Sequence, residues 1–221
     1  MLINADLSQR AAVDGASLPW VASPSPMVSR RMLERRGEEV ARATSIVRYA
    51  PGSRFPSHRH TGGEEFLVLE GTFSDQHGDF PAGTYVRNPV GSDHAPHSEP
   101  GCVIFVKLWW SHPDDQDVVC IDTTDAGLWA AGADHIALHA FGPERVTFRR
   151  LAPGASLPAR DIPGGEEILV VSGACEDRNG RYGEWGWLRQ PSGAAPTLIS
   201  PGGCTLLVKS GHLASPPPPP A

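Results

Sequence analysis

An all-β chain built from two copies of one unit is what this sequence predicts, and three observations predict it. The first is punctuation. Twenty-four Gly and 22 Pro among 221 residues interrupt helices and bound short strands, which favours a sandwich or barrel with many turns over a helical bundle. The second is an internal repeat. Shifting the sequence by 102 superposes RYAPGSRFP (48–56) on RLAPGASLP (150–158), GGEEFLVLEG (62–71) on GGEEILVVSG (164–173), and GCVIFVK (101–107) on GCTLLVK (203–209), with 22 identities in the 63 positions from 45 to 107. The third is the texture of the units. FLVLEG, TYVRNP and CVIFVKLWW are short, β-rich runs bounded by Gly and Pro.

Taken in order, the first unit spans 1–113, the second 114–213, and a Pro-rich tail 214–221. The boundary falls in the polar stretch after Trp110, SHPDDQDVVCIDTTDAG. Residues 28–37 carry charges and Leu33 that would allow a helix, but Gly37-Glu38 ahead of a strand suits a hairpin, the reading adopted here. Val40 to Tyr49 alternates as a strand does, with Val40, Arg42, Thr44, Ile46 and Arg48 on one face and Ala41, Ala43, Ser45, Val47 and Tyr49 on the other. The tail ASPPPPPA is expected as extended polyproline II outside any core.

Composition excludes several classes. Net charge is −6 with a pI near 5.8, so a nucleic-acid partner is not expected. No run of 18 apolar residues occurs, so no membrane span is expected. MLINADLSQR has early acid and no apolar core, so no signal peptide is visible. The expectation is a soluble, cytoplasmic protein. Its cysteines, Cys102, Cys120, Cys175 and Cys204, form no CxxC pair and are read as reduced thiols.

The chemistry lies between 52 and 94. His58 and His60 are two apart, so on a strand both imidazoles point to one face. Thr61-Gly62-Gly63 lets the chain turn, Glu64 opens the next strand, and His94 follows a Pro-x-Gly turn from a third. Three neutral imidazoles and a carboxylate converging on one point would hold a divalent ion such as Zn, Fe, Mn, Ni or Cu. Glu65 and His97 are near-neighbour alternatives to Glu64 and His94. Phe55, Phe66, Tyr85 and His97 are candidates for the pocket around the ion; Arg87, like its repeat partner Arg189, is read first as an internal pair with a strand or turn carboxylate, with contact to an anionic ligand in the pocket as the alternative. Trp109-Trp110 could serve a subunit contact, which would allow a homodimer. At the offset of 102 the second copy has Arg160, Ile162 and Pro196 in place of His58, His60 and His94 and keeps only Glu166, so one ion per chain is expected.

These motifs, Gly52-x5-His58-x-His60-x3-Glu64-x6-Gly71 and Gly83-x5-Pro89-x-Gly91-x2-His94, resemble those of the cupin superfamily, with Ser98 where an Asn usually closes the second. From about Trp20 to Leu213 the chain resembles ChrR-type cupins, down to the closing VKSGHL. The resemblance implies two tandem cupin barrels (double-stranded β-helix or jelly-roll), the first with metal ligands His58, His60, Glu64 and His94, the second degenerate. It implies zinc first, with iron, manganese or nickel as alternatives. It implies a regulatory or small-molecule-sensing role in the oxidative stress response, because the protein that gives the family its name is a zinc-dependent anti-sigma factor. In that protein the anti-sigma activity lies in a separate helical domain with its own His/Cys zinc site. Residues 1–20 are too short for one and no Cys precedes Cys102, which argues against a sigma-factor partner. Related single-copy cupins include iron dioxygenases, so the alternative is a mononuclear non-haem Fe(II) dioxygenase acting on a small diketone, hydroxyketone or thiol.

The thiol reading is open to direct test: titration of the unfolded chain without reductant should find four free thiols, and a count of two in fresh protein would reveal a disulfide.

Overall fold

In the computed structural model of the chain, residues 1–130 and 132–220 are described. Among them the only helical element is a three-residue 3-10 turn, Ala126–Leu128; everything else is strand, turn or coil. No helix is long and apolar enough to cross a membrane. The all-β, two-unit organisation expected from the repeat is present. One unit comprises residues 1–5, 19–124 and 217–221, the other 6–18 and 125–216. Residues 6–18 therefore belong with the second copy, although the sequence partition at 113 assigns them to the first.

In the first unit, Val28–Gly37 is a strand hairpinned to Ala41–Tyr49 across Glu38–Val40. The main sheet then runs through Cys102–Leu108, Glu64–Asp75 and Thr84–Asn88 to Val119–Asp122, with Leu2–Ile3 at the opposite end. Its strands pair antiparallel, and the central ones are buried on both faces, with side chains alternating between them. The face bearing Phe66, Val68, Ile104 and Val106 packs on Phe73 and Phe80 in one apolar cluster with Tyr49. Phe73 is the hub: it stands edge-on to Tyr49 at 5.5 Å and lies 4.7 Å from Phe66. The opposite face is buried too, but by charge. Lys107 donates to Thr44 at 2.8 Å, Arg42 lies 3.8 Å from Glu34, and both cations stack on the Trp110 ring. The tail is not free of this unit, since Arg42 also donates to the Pro217 carbonyl at 3.4 Å.

The second unit repeats the scheme. Its sheet runs His135–Phe141, Glu144–Leu151, Cys204–Ser210, Glu166–Gly173, Gly186–Gln190 and Ala11–Asp14. The offset of 102 is preserved strand for strand: Glu64, Thr84 and Cys102 each open a strand, as do Glu166, Gly186 and Cys204. Its core gathers Val170, Cys175, Leu206 and Val208. All four cysteines are free thiols, with Cys120 exposed and the others buried.

The two expected barrels are not closed. In each unit the hydrogen-bonded path stops at two edge strands that do not pair with each other: Leu2–Ile3 and Val119–Asp122 in the first, His135–Phe141 and Ala11–Asp14 in the second. Closure needs the first and last strands of a sheet to share a ladder. Instead the chain splits off smaller sheets, such as the two-stranded pair of His58–Arg59 with Asp93–His94. The units are cupin-like but made of open sheets. Nothing in a strand's own alternation distinguishes an open path from a closed one, which is why the sequence misses this.

Phe73 has no exposed surface, so Phe73→Ala should remove about 3–5 kcal/mol of stability. Thermal or urea unfolding monitored on the first unit would show it, and an unchanged transition would displace Phe73 from the centre of this core.

Candidate metal centre

His58 and His94 face each other across the smallest sheet, in register. Its short strands cannot run further, because Thr61-Gly62-Gly63 turns the chain. Gly63 has φ +70°, and a Cβ on Gly62 would lie 2.2 Å from the Trp109 ring, so this turn accepts glycine for two separate reasons. His60 leaves the strand tied by its amide to the Ser92 carbonyl at 2.8 Å, and its own carbonyl accepts from Gly91 at 2.8 Å. The Pro-x-Gly turn before His94 thus sits directly on the HxH segment.

The result is a tight cluster. His58, His60 and His94 each offer a ring nitrogen, all within 4.8 Å of one another. Nε2 of His60 and Nε2 of His94 are 2.9 Å apart. Glu64 Oε2 is 3.5 Å from each of those nitrogens and accepts from Asn88 Nδ2 at 3.2 Å. His60, Glu64 and His94 are buried, while His58 is the outermost. This donor set fits a first-row divalent ion. Donors about 2.0–2.2 Å from a shared ion lie roughly 3–3.5 Å from one another, close to the spacing found among His60, Glu64 and His94, with the His58 nitrogen within 4.8 Å of the other two imidazoles. Three imidazoles with a carboxylate suit Zn, Fe, Mn, Ni or Cu alike.

The outward nitrogens are fixed by oxygen acceptors. His94 Nδ1 lies 3.1 Å from Asp75 Oδ2, and His58 Nδ1 lies 3.0 Å from the Pro56 carbonyl. An oxygen that can only accept makes each Nδ1 the protonated nitrogen and leaves Nε2 its lone pair. Burial lowers the pKa of His60 and outweighs the opposing pull of Glu64, so its ring is neutral and ready to ligate. At His94 burial also pushes down, but the Asp75 hydrogen bond and the charges of Glu64 and Asp75 push the pKa above its ordinary value. Burial pushes Asp75 upward, yet its hydrogen bonds to His94 and to the His77 amide hold it below the usual carboxylate range. Asp75 is the functional residue that sequence reasoning missed. No spacing rule ties it to His94, 19 residues away.

Strand parity sorts the remaining candidates. The cluster opens into a cleft of about 250 Å³ whose lining includes His58, His60, Glu64, Val47, Tyr49, Phe55, Ile104 and Val106. Phe55 is where it was expected. Phe66 has 1% exposure and packs beneath the cleft in the aromatic core. Tyr85 and Arg87 are not pocket residues. They pair with Leu67 and Glu65, the odd positions of a strand whose even positions 64, 66 and 68 face inward. Arg87 is locked there by Glu65 at 2.6 Å and by Asp115, which also takes Glu65 away from the ion. His97 is outside the cleft lining and turns Nδ1 toward the Ala95 carbonyl at 3.4 Å. Ser98, at the position of the missing Asn, donates to the Thr72 carbonyl at 2.6 Å.

In the second unit Arg160, at the position of His58, donates to Glu166, the counterpart of Glu64. Ile162 is buried apolar surface. Asp177, the counterpart of Asp75, accepts from Tyr182 at 2.7 Å and pairs with Arg10 at 3.2 Å. A guanidinium stands where the first unit would place an ion.

The profile of the ChrR cupin-like domain matches residues 8–112 and again 116–214. The chain belongs to the ChrR cupin-like family. Among curated proteins none matches it. Solved structures share its two-unit fold. One from Nostoc punctiforme, described as a "putative dioxygenase", is 18% identical with a TM-score of 0.74, covering 97% of this chain and 87% of its own. A bacterial pirin from Escherichia coli in complex with nickel(II) is 12% identical, TM-score 0.68, covering 95% of this chain and 100% of its own. Salicylate 1,2-dioxygenase from Pseudaminobacter salicylatoxidans is 14% identical, TM-score 0.61, covering 95% and 86%. Identities this low speak to the fold alone.

Elemental analysis of the purified chain should give close to one transition metal per chain. His58→Ala and His94→Ala should each lose most of it, while Asp75→Asn should weaken retention by about 10–100-fold. Full occupancy in both His variants would sink this ligand set.

Proposed function

We propose that this ChrR cupin-like protein is a mononuclear non-haem iron dioxygenase acting on a small organic substrate, of which diketones, hydroxyketones and thiols are the first to test. The observation that carries the reading is the position of the cluster. Three of its donors, His58, His60 and Glu64, line an open, largely apolar cleft, whereas a purely structural ion's ligands would be sealed in the core. His58, His60, Glu64 and His94 would hold the ion, which when bound supplies the activation of dioxygen and substrate. The rest of the work belongs to the chain. Asp75 keeps His94 in the tautomer that leaves Nε2 bare, Asn88 orients Glu64, and Tyr49, Phe55 and Val106 exclude water and pack the substrate's apolar part. Burial raises the Tyr49 pKa well above the ordinary phenol value, so its hydroxyl stays neutral.

The fold likeness to a salicylate dioxygenase and to a "putative dioxygenase" supports this reading over a zinc-bound sensor of the oxidative stress response, which rests on the family description. The sensor reading expects retained zinc, no turnover and a ligand that raises the melting temperature. The test is an oxygen electrode. Protein reconstituted with Fe²⁺ should consume oxygen above the apo-protein background with at least one of these substrate classes, and His60→Ala should abolish it. Zinc retained by native protein, with no uptake on any metal, would overturn the proposal.

A further inference from the structure

The same cleft carries two arginines that the metal cluster does not use. Arg30 and Arg35 line it, although they are five residues apart on one strand and strict alternation would send them to opposite faces. A β-bulge reconciles them. Between Met32 and Glu34 the register against Ala41–Tyr49 slips, leaving Leu33 as the extra residue. Arg30 then pairs with Val47 and Arg35 with Ala43, both of which line the cleft. A bulge re-aims the side chains beyond it, and here it turns a second guanidinium inward.

The pair is built for an anion. Arg35 is only 4% exposed and donates to the Glu38 and Glu39 carbonyls. Arg30 Nη2 lies 3.3 Å from a carboxylate oxygen of Glu39, whose own side chain is 66% exposed. The buried Nε of Arg30 makes no hydrogen bond to the protein. Burial, and then the nearness of Arg30, depress the Arg35 pKa, which marks two like charges sharing a confined space. Glu39, hanging from the hairpin loop at the cleft rim, already shows that a carboxylate fits. The register row Arg35–Ala43–Leu108–Glu64 separates the arginines from the metal cluster by three inter-strand steps, about 14 Å along the sheet.

We propose that Arg30 and Arg35 form a carboxylate-binding subsite for which Glu39 is a displaceable occupant. The ligand class is a small organic acid: its carboxylate on the guanidinium pair, its apolar body on Val47, Tyr49 and Ile104, its other end toward His60 and Glu64. Calling that ligand the substrate rests on the oxygenase reading above; the subsite does not.

The test uses the metal-loaded full chain and two probes of one shape, 4-phenylbutyrate and its primary amide, with binding read by calorimetry. The acid should bind at least about tenfold more tightly than the amide, and Arg30→Met and Arg35→Met should each weaken the acid by about tenfold or more. Glu39→Gln should tighten it about threefold by removing the internal competitor. Should buried Arg35 be needed for folding, the half-buried Arg30 decides alone. Equal affinity for acid and amide, or full affinity in Arg30→Met, overturns the subsite. Chelator-stripped, metal-free protein separates the two proposals. It should keep acid binding at the arginine pair while showing no oxygen uptake. Acid binding without uptake on any metal removes the oxygenase reading and leaves the subsite standing. Oxygen uptake together with equal affinity for acid and amide does the reverse.

Discussion

Two imidazole nitrogens 2.9 Å apart in a buried place are the constraint around which the first unit is organised. Two lone pairs repel at that distance unless a proton or an ion lies between them. The structure supplies the conditions for the ion. Asp75 and Pro56 occupy the outward nitrogens of His94 and His58, so in the neutral form of these two rings the inward nitrogens keep their lone pairs. Glu64 brings a negative charge to the same point, lowering the cost of placing a cation in a buried site. The backbone ties between the HxH segment and the Pro-x-Gly turn hold the geometry, and the Phe73 ring, 5.9 Å from that of His94, joins the cluster to the apolar core.

The second unit shows the same constraint answered differently. With both buried histidines gone, its retained glutamate still needs a positive partner, and Arg160 provides one. The retained aspartate likewise finds Tyr182 and Arg10. Buried carboxylates inherited from the repeat are satisfied by guanidinium and hydroxyl groups in place of a metal. Loss of the ion site therefore leaves the sheet intact.

Sheet parity divides the work within the first unit. Positions 64, 66 and 68 look into cleft and core, while Glu65 carries the buried network with Arg87 and Asp115; past the register slip that leaves Leu69 as the extra residue, it is the odd positions Phe73 and Asp75 that turn inward. Tyr85 reads from sequence as a pocket candidate because it is aromatic, and Arg87 as an internal ion pair or, alternatively, a pocket cation; the structure gives Arg87 the internal pair. Their placement on the other face follows once the pairing to Glu65 and Leu67 is known. Arg35 is the converse. Plain alternation sets it against Arg30, and one extra residue at Leu33 brings it round.

What the sequence determined by itself is local or repetitive: strands marked by period-2 apolar runs and Gly/Pro punctuation, a duplication visible at a constant offset, and the HxH spacing that puts two imidazoles on one side of a strand. Those properties follow from covalent geometry, so they survive without knowledge of neighbours. The tertiary structure decided what depends on strand pairing. It left the sheets open, since closure is a relation between first and last strands. It gave Ala11–Asp14 to the second unit's sheet, since an edge takes whichever segment can reach it. It chose Asp75 as the partner of His94 and turned Arg35 into the cleft, because register across strands, and not distance along the chain, sets which side chains meet.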